Sequence, residues 1–447
     1  MRNYLIAAAT GLGLLTLSIP AAQAAGTGGE QPPAGVVKAT PVTNTPHLAT
    51  TSTTTEQIRQ LVPCGGTMYA VGTFSSIRKG STTYTRTDVF SFSATAPYTV
   101  TSWAPKVVGS TSTGETGTDA INSIAFANGN CSVAYIGGHF TSVNGTSVAN
   151  IAAISTSTGN VIGTFAHSAN GGVNTLAAVN GHLLVGGGFT AINGAGIPYL
   201  VSLSPSTGKS DGFLNLSIQG SKVYNQQVSH GRTLDLVEGA VSSVGGVTRH
   251  QMFMLNVGGT KATVTGWYSP DFNVSCVQSF WARAAAWSPD DSTVYVATTG
   301  YHISGGSTHG PQTGPCDVAL AYPATQTSVN HKWINYTGCD SLYSVAADSK
   351  AAYYGGHERW SMNQQACNTQ GPGAYVAPGM EGLDPANGNL YVNPGNTAGY
   401  YSRARGLGAD DMLVTSAGLW IASDNSDGSA SCGGVSGLAG ICFLPYT

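Results

Sequence analysis

Tyr135–Gly145 reads YIGGHFTSVNG, Leu184–Gly194 reads LVGGGFTAING, and a worn copy, LVEGAVSSVGG, spans Leu236–Gly246. Fainter echoes are YAVGTFSSI from Tyr69 and YYGGHERW from Tyr353. Each copy is a short run of β-branched or aromatic residues, then a glycine pair, then a small-residue turn, the pattern of a strand entering a tight loop. One such unit cannot bury both of its faces, so the recurrence implies a stacked or circular β architecture. Phe140 and Phe189 stand 49 residues apart, the length of a four-stranded propeller blade with generous loops and too long for a coil of a parallel solenoid.

The clearest unit parses into four strands from the innermost outward: INSIAFA from Ile121, SVAYIGG from Ser132, NIAAIST from Asn150 and NVIGTFA from Asn160. The next repeats this with VNTLAAV from Val173, HLLVGGG from His182, YLVSLSP from Tyr199 and a short fourth strand near Phe213. Units headed near Gln57, Ile121, Val173, Val223, Trp281, Ser341 and Met412 predict an all-β, seven-bladed propeller, with six or eight blades as alternatives because the fourth unit is poorly marked. The last unit, with DDMLVTSAG, LWIASDN and GICFLPY, is one strand short. VVKATPVTNTP from Val36 is expected to supply that strand and close the ring, which removes the edges that invite aggregation.

The GG-x-F-T-S-V-N-G copies at Gly137–Gly145 and Gly187–Gly194, each followed by a run such as IAAISTSTG at Ile151–Gly159, resemble the delta-60-repeat β-propellers of secreted bacterial proteins. YYGGHERW, SRARGLGADDMLVTSAGLWIASDN and CGGVSGLAGICFLPY are similar to stretches of uncharacterised secreted actinobacterial propeller proteins. The resemblance implies the fold and carries no catalytic residues with it. Glu238 departs from the pattern, standing where the first motif glycine belongs.

Arg2, the apolar run Leu5–Leu17 and Ala22-Gln23-Ala24 read as a secretory signal peptide over 1–24, followed by a Gly-rich flexible leader over 25–35 and a propeller domain over 36–447. Neither a lipidated cysteine nor a membrane span is expected. Charged residues make up 9% of the chain and the formal net charge is −3, so no basic footprint for nucleic acid exists. A secreted, extracellular monomer with a surface of Ser, Thr and Asn fits this composition.

Eight cysteines in an exported chain favour disulfides. The blade parse sorts them. Cys64 and Cys131 fall in first-to-second-strand turns of neighbouring units, Cys276 and Cys316 on the opposite face of one unit, Cys339 and Cys367 likewise in the next, and Cys432 and Cys442 flank the final strand. Four pairs form in this way without a bridge crossing the disc.

The longest loops, Tyr301–Asp317 and His357–Gly379 with Tyr268–Phe280 and Gly395–Ala409 beside them, share one face over the last three units, which is where a rigid ring tends to carry function. His357-Glu358-Arg359-Trp360, with Asn363 close behind, combines a carboxylate, a guanidinium and an indole, groups that together bind sugars through hydroxyls and an apolar ring face. The competing reading is an internal Glu358–Arg359 ion pair with Trp360 buried. Arg403, Arg405, Asp410 and Asp411 form a second cluster. Glu358 with Asp410 or Asp411 would suit glycoside hydrolysis, which needs two carboxyl groups at a set separation; the competing role is loop capping, to which Asp119 and Asp340 at comparable positions point.

His302, His309, His139 and His357 match no zinc spacing, and Asp424-Asn425-Ser426-Asp427-Gly428 lacks the acidic spacing of a calcium loop, so no metal or cofactor is expected. No nucleophile elbow is present. Trp281, Trp287 and Trp333 are expected in the core. The chain thus reads as a secreted binding module for a glycan or an extracellular protein, with a glycan-cleaving enzyme and a non-catalytic scaffold as alternatives.

Overall fold

The structure, a computed structural model, describes residues 28–49, 55–109, 121–127, 129–277, 280–300, 311–426 and 431–446. The proposed signal peptide, Asp119, His302, His309 and Asp427 lie outside them. No α-helix occurs among the described residues, and none is long and apolar enough to cross a membrane.

Of the ten antiparallel sheets among the described residues, seven principal ones of three or four main strands follow one another along the chain, each in simple up-and-down order. Sheet I holds Gln57–Cys64, Thr67–Thr73 and Val89–Ser93; sheet II, Ile121–Ala125, Val133–Gly138 and Ile151–Ser155; sheet III, Val173–Val179, His182–Gly187 and Leu200–Leu203. Sheet IV holds Ile218–Val228, Leu234–Val244, Met252–Asn256 and Thr263–Val264, and sheet V holds Ala282–Trp287, Thr293–Thr298, Val318–Pro323 and Trp333–Tyr336. Sheet VI holds Leu342–Ala347, Ala352–Gly356 and Met380–Leu383; sheet VII, Ala409–Thr415, Gly418–Ser423 and Ile441–Pro445.

The fourth strands expected in the second and third units shrink to single bridges, Ile154 to Val161 and Leu203 to Ser210. The apolar residues that follow leave the sheet edge for the core. Phe165 is buried against Tyr135 with ring centroids 5.4 Å apart, and Phe213 stacks on His182 at 3.9 Å.

The core lies between the sheets. Each consecutive pair encloses its own apolar cluster, such as Tyr69, Val71 and Trp103 with Ile121, Ile124 and Ile136 between sheets I and II. Another cluster joins Trp420, Ile441 and Phe443 of sheet VII to Ile58, Met68, Phe90 and Phe92 of sheet I. Trp281, Trp287 and Trp333 are buried in the clusters flanking sheet V, as their sequence context predicts. A fully buried large apolar side chain is worth about 1.5–3 kcal/mol. The segment from Val36 runs beside the final strand: Val37 bridges Tyr446, the Lys38 amide donates to Pro445 O at 2.8 Å, and the Val42 amide donates to Phe443 O at 2.9 Å.

All four expected disulfides are present, Cys64–Cys131, Cys276–Cys316, Cys339–Cys367 and Cys432–Cys442, with Cα separations of 4.9–6.4 Å. Such bonds are consistent with an extracellular location, and each contributes on the order of 2–4 kcal/mol.

The motif acquires a physical reading here. A side chain on the first glycine would strike the next sheet: a Cβ on Gly137 would lie 2.3 Å from Val173 Cγ1, on Gly186 2.6 Å from Val223 Cγ1, and on Gly355 2.4 Å from Met412 Cε. A Cβ on the second glycine would strike the inner strand of its own sheet. Those on Gly72, Gly187, Gly239 and Gly356 would lie 2.0–2.5 Å from the carbonyl oxygens of Gln57, Gly172, Lys222 and Ser341. That approach arises because the inner strand is bulged at this level. The register breaks between Ile58 and Gln60, Ile121 and Ser123, Val173 and Thr175, Val223 and Asn225, Ala282 and Ala284, Leu342 and Ser344, and Ala409 and Asp411.

A second recurrence accompanies the bulge. The residue just before each third strand is left-handed, with φ of 65° at Asp88, 65° at Asn150, 68° at Tyr199, 64° at Gln251, 52° at Asp317, 69° at Gly379 and 77° at Gly440. In sheets I to IV its carbonyl accepts the amide of the second glycine, as in Gly187 to Tyr199 at 2.9 Å.

Gly187→Ala is expected to destabilise by about 1–3 kcal/mol through overpacking against Gly172 O. Gly163→Ala, where a Cβ meets nothing within 4 Å, is expected to stay within about 0.5 kcal/mol of the parent. Urea denaturation of both variants checks this, and equal effects would contradict it.

Candidate functional site

A β-bulge leaves one residue unpaired and turns its side chain away from the alternation of the strand. Here the unpaired residues are Arg59, Asn122, Asn174, Tyr224, Arg283, Tyr343 and Asp410, one from the inner strand of each sheet. All seven line a single cavity of about 290 Å³, together with neighbours such as Gln57, Gln60, Asn225, Gln227 and Asp411. A volume near the lower end of the usual ligand-pocket range, about 300–1,000 Å³, suits a small polar molecule or the end of a longer one.

The ring has two unlike arcs. In the first, Arg59 Nη1 donates to Asn122 Oδ1 at 2.7 Å, Asn122 Nδ2 donates to Val173 O at 3.0 Å, and Asn174 Nδ2 donates to Val223 O at 2.8 Å. Each amide is therefore braced on the next sheet. In the second arc the Arg283 guanidinium lies between two aromatic rings, 5.7 Å from the centroid of Tyr224 and 5.6 Å from that of Tyr343. Phe280 stacks on Tyr224 at 3.8 Å, and Tyr343 OH hydrogen-bonds His357 Nδ1 at 3.2 Å, so both rings are fixed from behind.

Asp410 completes the ring. Both Asp410 and Asp411 keep some surface open to the cavity, but the packed protein around them raises their affinity for protons. Burial pushes Asp410 up to about 6 against the pull of Arg59, Arg283 and Arg403. Burial pushes Asp411 to about 7 although its Oδ2 accepts the Leu61 amide at 3.0 Å. On the second strand of sheet IV, Glu238 is buried and pushed up to about 8, chiefly by desolvation, with the Asn225 side chain opposing the rise, Asp235 adding to it and Arg283 opposing it more weakly.

The loop cluster named from sequence divides differently from what the residues led one to expect. Arg359 pairs with Asp340 and not with Glu358: Nε and Nη2 reach the two Asp340 oxygens at 2.7 and 2.9 Å, and the Arg359 amide donates to Asp340 Oδ2 at 3.0 Å. Arg405 Nη2 approaches Asp340 Oδ1 at 3.9 Å while its Nε donates to His357 O at 2.7 Å. The guanidinium of Arg359 also lies 4.1 Å from the Trp360 ring centroid, and Trp360 is half-buried, not fully enclosed. Asn363 is fully buried and holds its own loop, donating to Thr369 O at 2.9 Å and accepting the Gly371 amide at 2.8 Å. Arg403 is buried and donates to Ala404 O at 2.8 Å.

Glu358 is fully buried, and its two carboxyl oxygens have no hydrogen-bond partner among the described residues. Desolvation raises its pKa well above the usual carboxylate range, with the neighbouring Glu381, itself pushed up to about 7 by burial, adding to the rise. Asp410 and Asp411 line the cavity and Glu358 does not. The expected carboxyl pair facing across a pocket is therefore not formed, because the strand leaving Gly356 carries Glu358 into the protein interior.

The cavity residues Arg59, Asn122, Asn174, Tyr224, Arg283 and Tyr343 were not singled out from sequence. They differ in type, and their one common signal is position: each is the residue just after the first apolar residue of an inner strand, or in the longest inner strand, Ile218–Val228, the one at the equivalent level.

No protein-family model matches the chain, and no curated protein matches it. Among solved structures, that of U3-55K is similar with a TM-score of 0.50 at 8% identity, covering 91% of this chain and 100% of that one. The WD40 β-propeller domain of Doa1 is similar with a TM-score of 0.44 at 13% identity, covering 88% of this chain and 94% of that domain. The arrangement of successive sheets, each packed on the next, assigns the chain a β-propeller architecture, and the likeness to U3-55K, at 8% identity, concerns the fold alone.

Burial of Asp410, Asp411 and Glu238 has a measurable consequence. Their folded pKa values lie above the unfolded values near 4, so their contribution to stability is complete below about pH 4 and is lost as pH rises through 6, 7 and 8 respectively. Glu238→Gln removes one of these carboxyls. The urea midpoint of this variant, relative to that of the parent, is expected to rise between pH 5 and pH 8.5; a constant difference would show that Glu238 is ionised in the fold.

Proposed function

We propose that the chain is an exported β-propeller, its seven sheets being seven blades in a ring closed by the segment after Val36, and that it works as a non-covalent binding module for a glycan held at the central cavity. β-Propellers in general serve as ligand-binding or scaffold modules, which supports the coarser part of this reading. The observation that carries the finer part is the sevenfold bulge: one polar or aromatic side chain from every inner strand converges on one concave site. A passive scaffold has no use for such convergence. Fixed amide groups on one side and aromatic faces on the other suit a molecule with many hydroxyls and apolar C–H faces.

The loop cluster around Asp340 is assigned a supporting role, since Asp340 gathers Arg359 and Arg405, and His357 connects them to the cavity through Tyr343. Four disulfides support the extracellular setting.

Screening of the mature protein on a broad glycan panel, followed by calorimetry on the strongest ligand, tests the reading. Tyr224→Ala is expected to weaken binding by about tenfold or more, as for truncation of a buried aromatic anchor. Trp360→Ala is expected to remain within about twofold. Loss with Trp360→Ala and none with Tyr224→Ala would move the site to the loop face, and no binding across the panel would favour the scaffold.

A further inference from the structure

Arg283 is the least explained charge in the cavity. Among the described residues its guanidinium makes no hydrogen bond and has no carboxylate within ion-pair distance; its packing partners are the faces of Tyr224 and Tyr343. Its side chain is only partly enclosed and lines the cavity, so the N–H fork is available there. Two aromatic faces stabilise a desolvated guanidinium without consuming its donors, since the ring quadrupoles act on the charge from above and below. Two acids lie within its field: Glu238, which is buried and holds its proton at neutral pH, and Asp410, which lines the same cavity and is drawn down by Arg283 without standing within ion-pair distance.

The remaining lining limits what an anion could be. Asp410 has one oxygen buried without a partner and borders the same cavity, so the site needs hydroxyl donors as well as a negative group. Sulfate offers no such donors, and phosphate, which keeps a hydroxyl at neutral pH, lacks the apolar C–H faces that suit Tyr224 and Tyr343. Asn122 and Asn174 add amide dipoles on the opposite arc. A planar carboxylate matches the bidentate geometry of a guanidinium, and a polyhydroxylated ring supplies the rest.

We propose that the cavity is a uronic-acid site: Arg283, held between Tyr224 and Tyr343, binds the carboxylate of a hexuronate residue whose hydroxyls are read by Asp410, Asn122 and Asn174. This rests on the glycan-binding reading and specifies its ligand class. No bond is made or broken.

Calorimetry with D-glucuronate, D-galacturonate, D-glucose, D-galactose and inorganic phosphate on the mature parent decides it without any variant. Binding of at least one uronate about 10- to 100-fold tighter than its neutral counterpart and than phosphate is expected, the difference that hydrogen bonds to a charged group supply. In Arg283→Met, which keeps the side-chain stem between the rings, the uronate is expected to lose its advantage over the neutral sugar. Equal affinity for uronate and neutral sugar, or preference for phosphate, would overturn the uronate assignment. Neutral-sugar binding that Tyr224→Ala abolishes would leave the glycan reading standing in that event. Absence of binding by all five probes would overturn the uronate site itself, while glycan binding elsewhere in a broad panel would still be measured separately.

Discussion

The structure depends on how closely the second strand of each sheet approaches a bulged inner strand. An extra residue in the inner strand brings a carbonyl oxygen into the space that a Cβ of the facing residue would fill, and glycine relieves the clash in sheets I, III, IV and VI. Where glycine is absent the place is held by small hydroxyl residues, Thr298 in sheet V and Ser423 in sheet VII. The glycine before it performs a different task, leaving room for the next sheet. One dipeptide therefore settles both the strand geometry within a sheet and the spacing between sheets. The cavity is a by-product of the same constraint, because the residue displaced by each bulge has only the axis to point towards.

That origin explains why the site is polar while the strands around it are apolar. The residue before each bulge packs between sheets, as Ile121 does, whereas the bulged Asn122 and Ser123 after it face the cavity. The seven bulged positions differ in residue type around the cavity, and the two arcs are unlike accordingly. Braced amides occupy one side and a cation held between aromatic rings the other. In a chain that carries only 18 Lys and Arg among 447 residues, two arginines on one small cavity form a concentrated feature.

Much of the architecture was legible because it is repetitive. The glycine pairs marked second strands, their spacing indicated a blade-sized unit, and placing cysteines on that frame gave the four observed pairings. The cavity was not legible for the same physical reason that it exists: a bulge breaks the period-two alternation by which strand residues are assigned to faces. Asn122, Arg283 and Asp410 share a place but no chemistry, so no motif connects them. Conversely His357-Glu358-Arg359-Trp360 drew notice because charge is scarce in this chain. Its arginine serves Asp340, 19 residues earlier in the chain, and its glutamate turns inward. Asp340 reads from sequence as a loop-capping residue, and its Oδ2 accepts the Arg359 amide at 3.0 Å while its two oxygens pair with the Arg359 guanidinium.

Glu238 shows how a departure from the repeat is accommodated. At the corresponding place Gly137 and Gly186 face Val173 and Val223 of the following sheet, and a Cβ would collide with either valine. In sheet V the residue at the valine position is Ala282, followed by Ala284 and Ala285 beyond the bulge, so the neighbour has given up the volume that a glutamate needs. The exchange of Gly and Val for Glu and Ala conserves packing at the level of the pair of sheets and not of the residue. It also brings a carboxyl into the electrostatic field of Arg283, the bulge residue of that same sheet, where desolvation keeps it protonated and Arg283 pulls the other way. A carboxylate in that place would neutralise the guanidinium from behind. A carboxylic acid leaves the positive charge directed at the cavity.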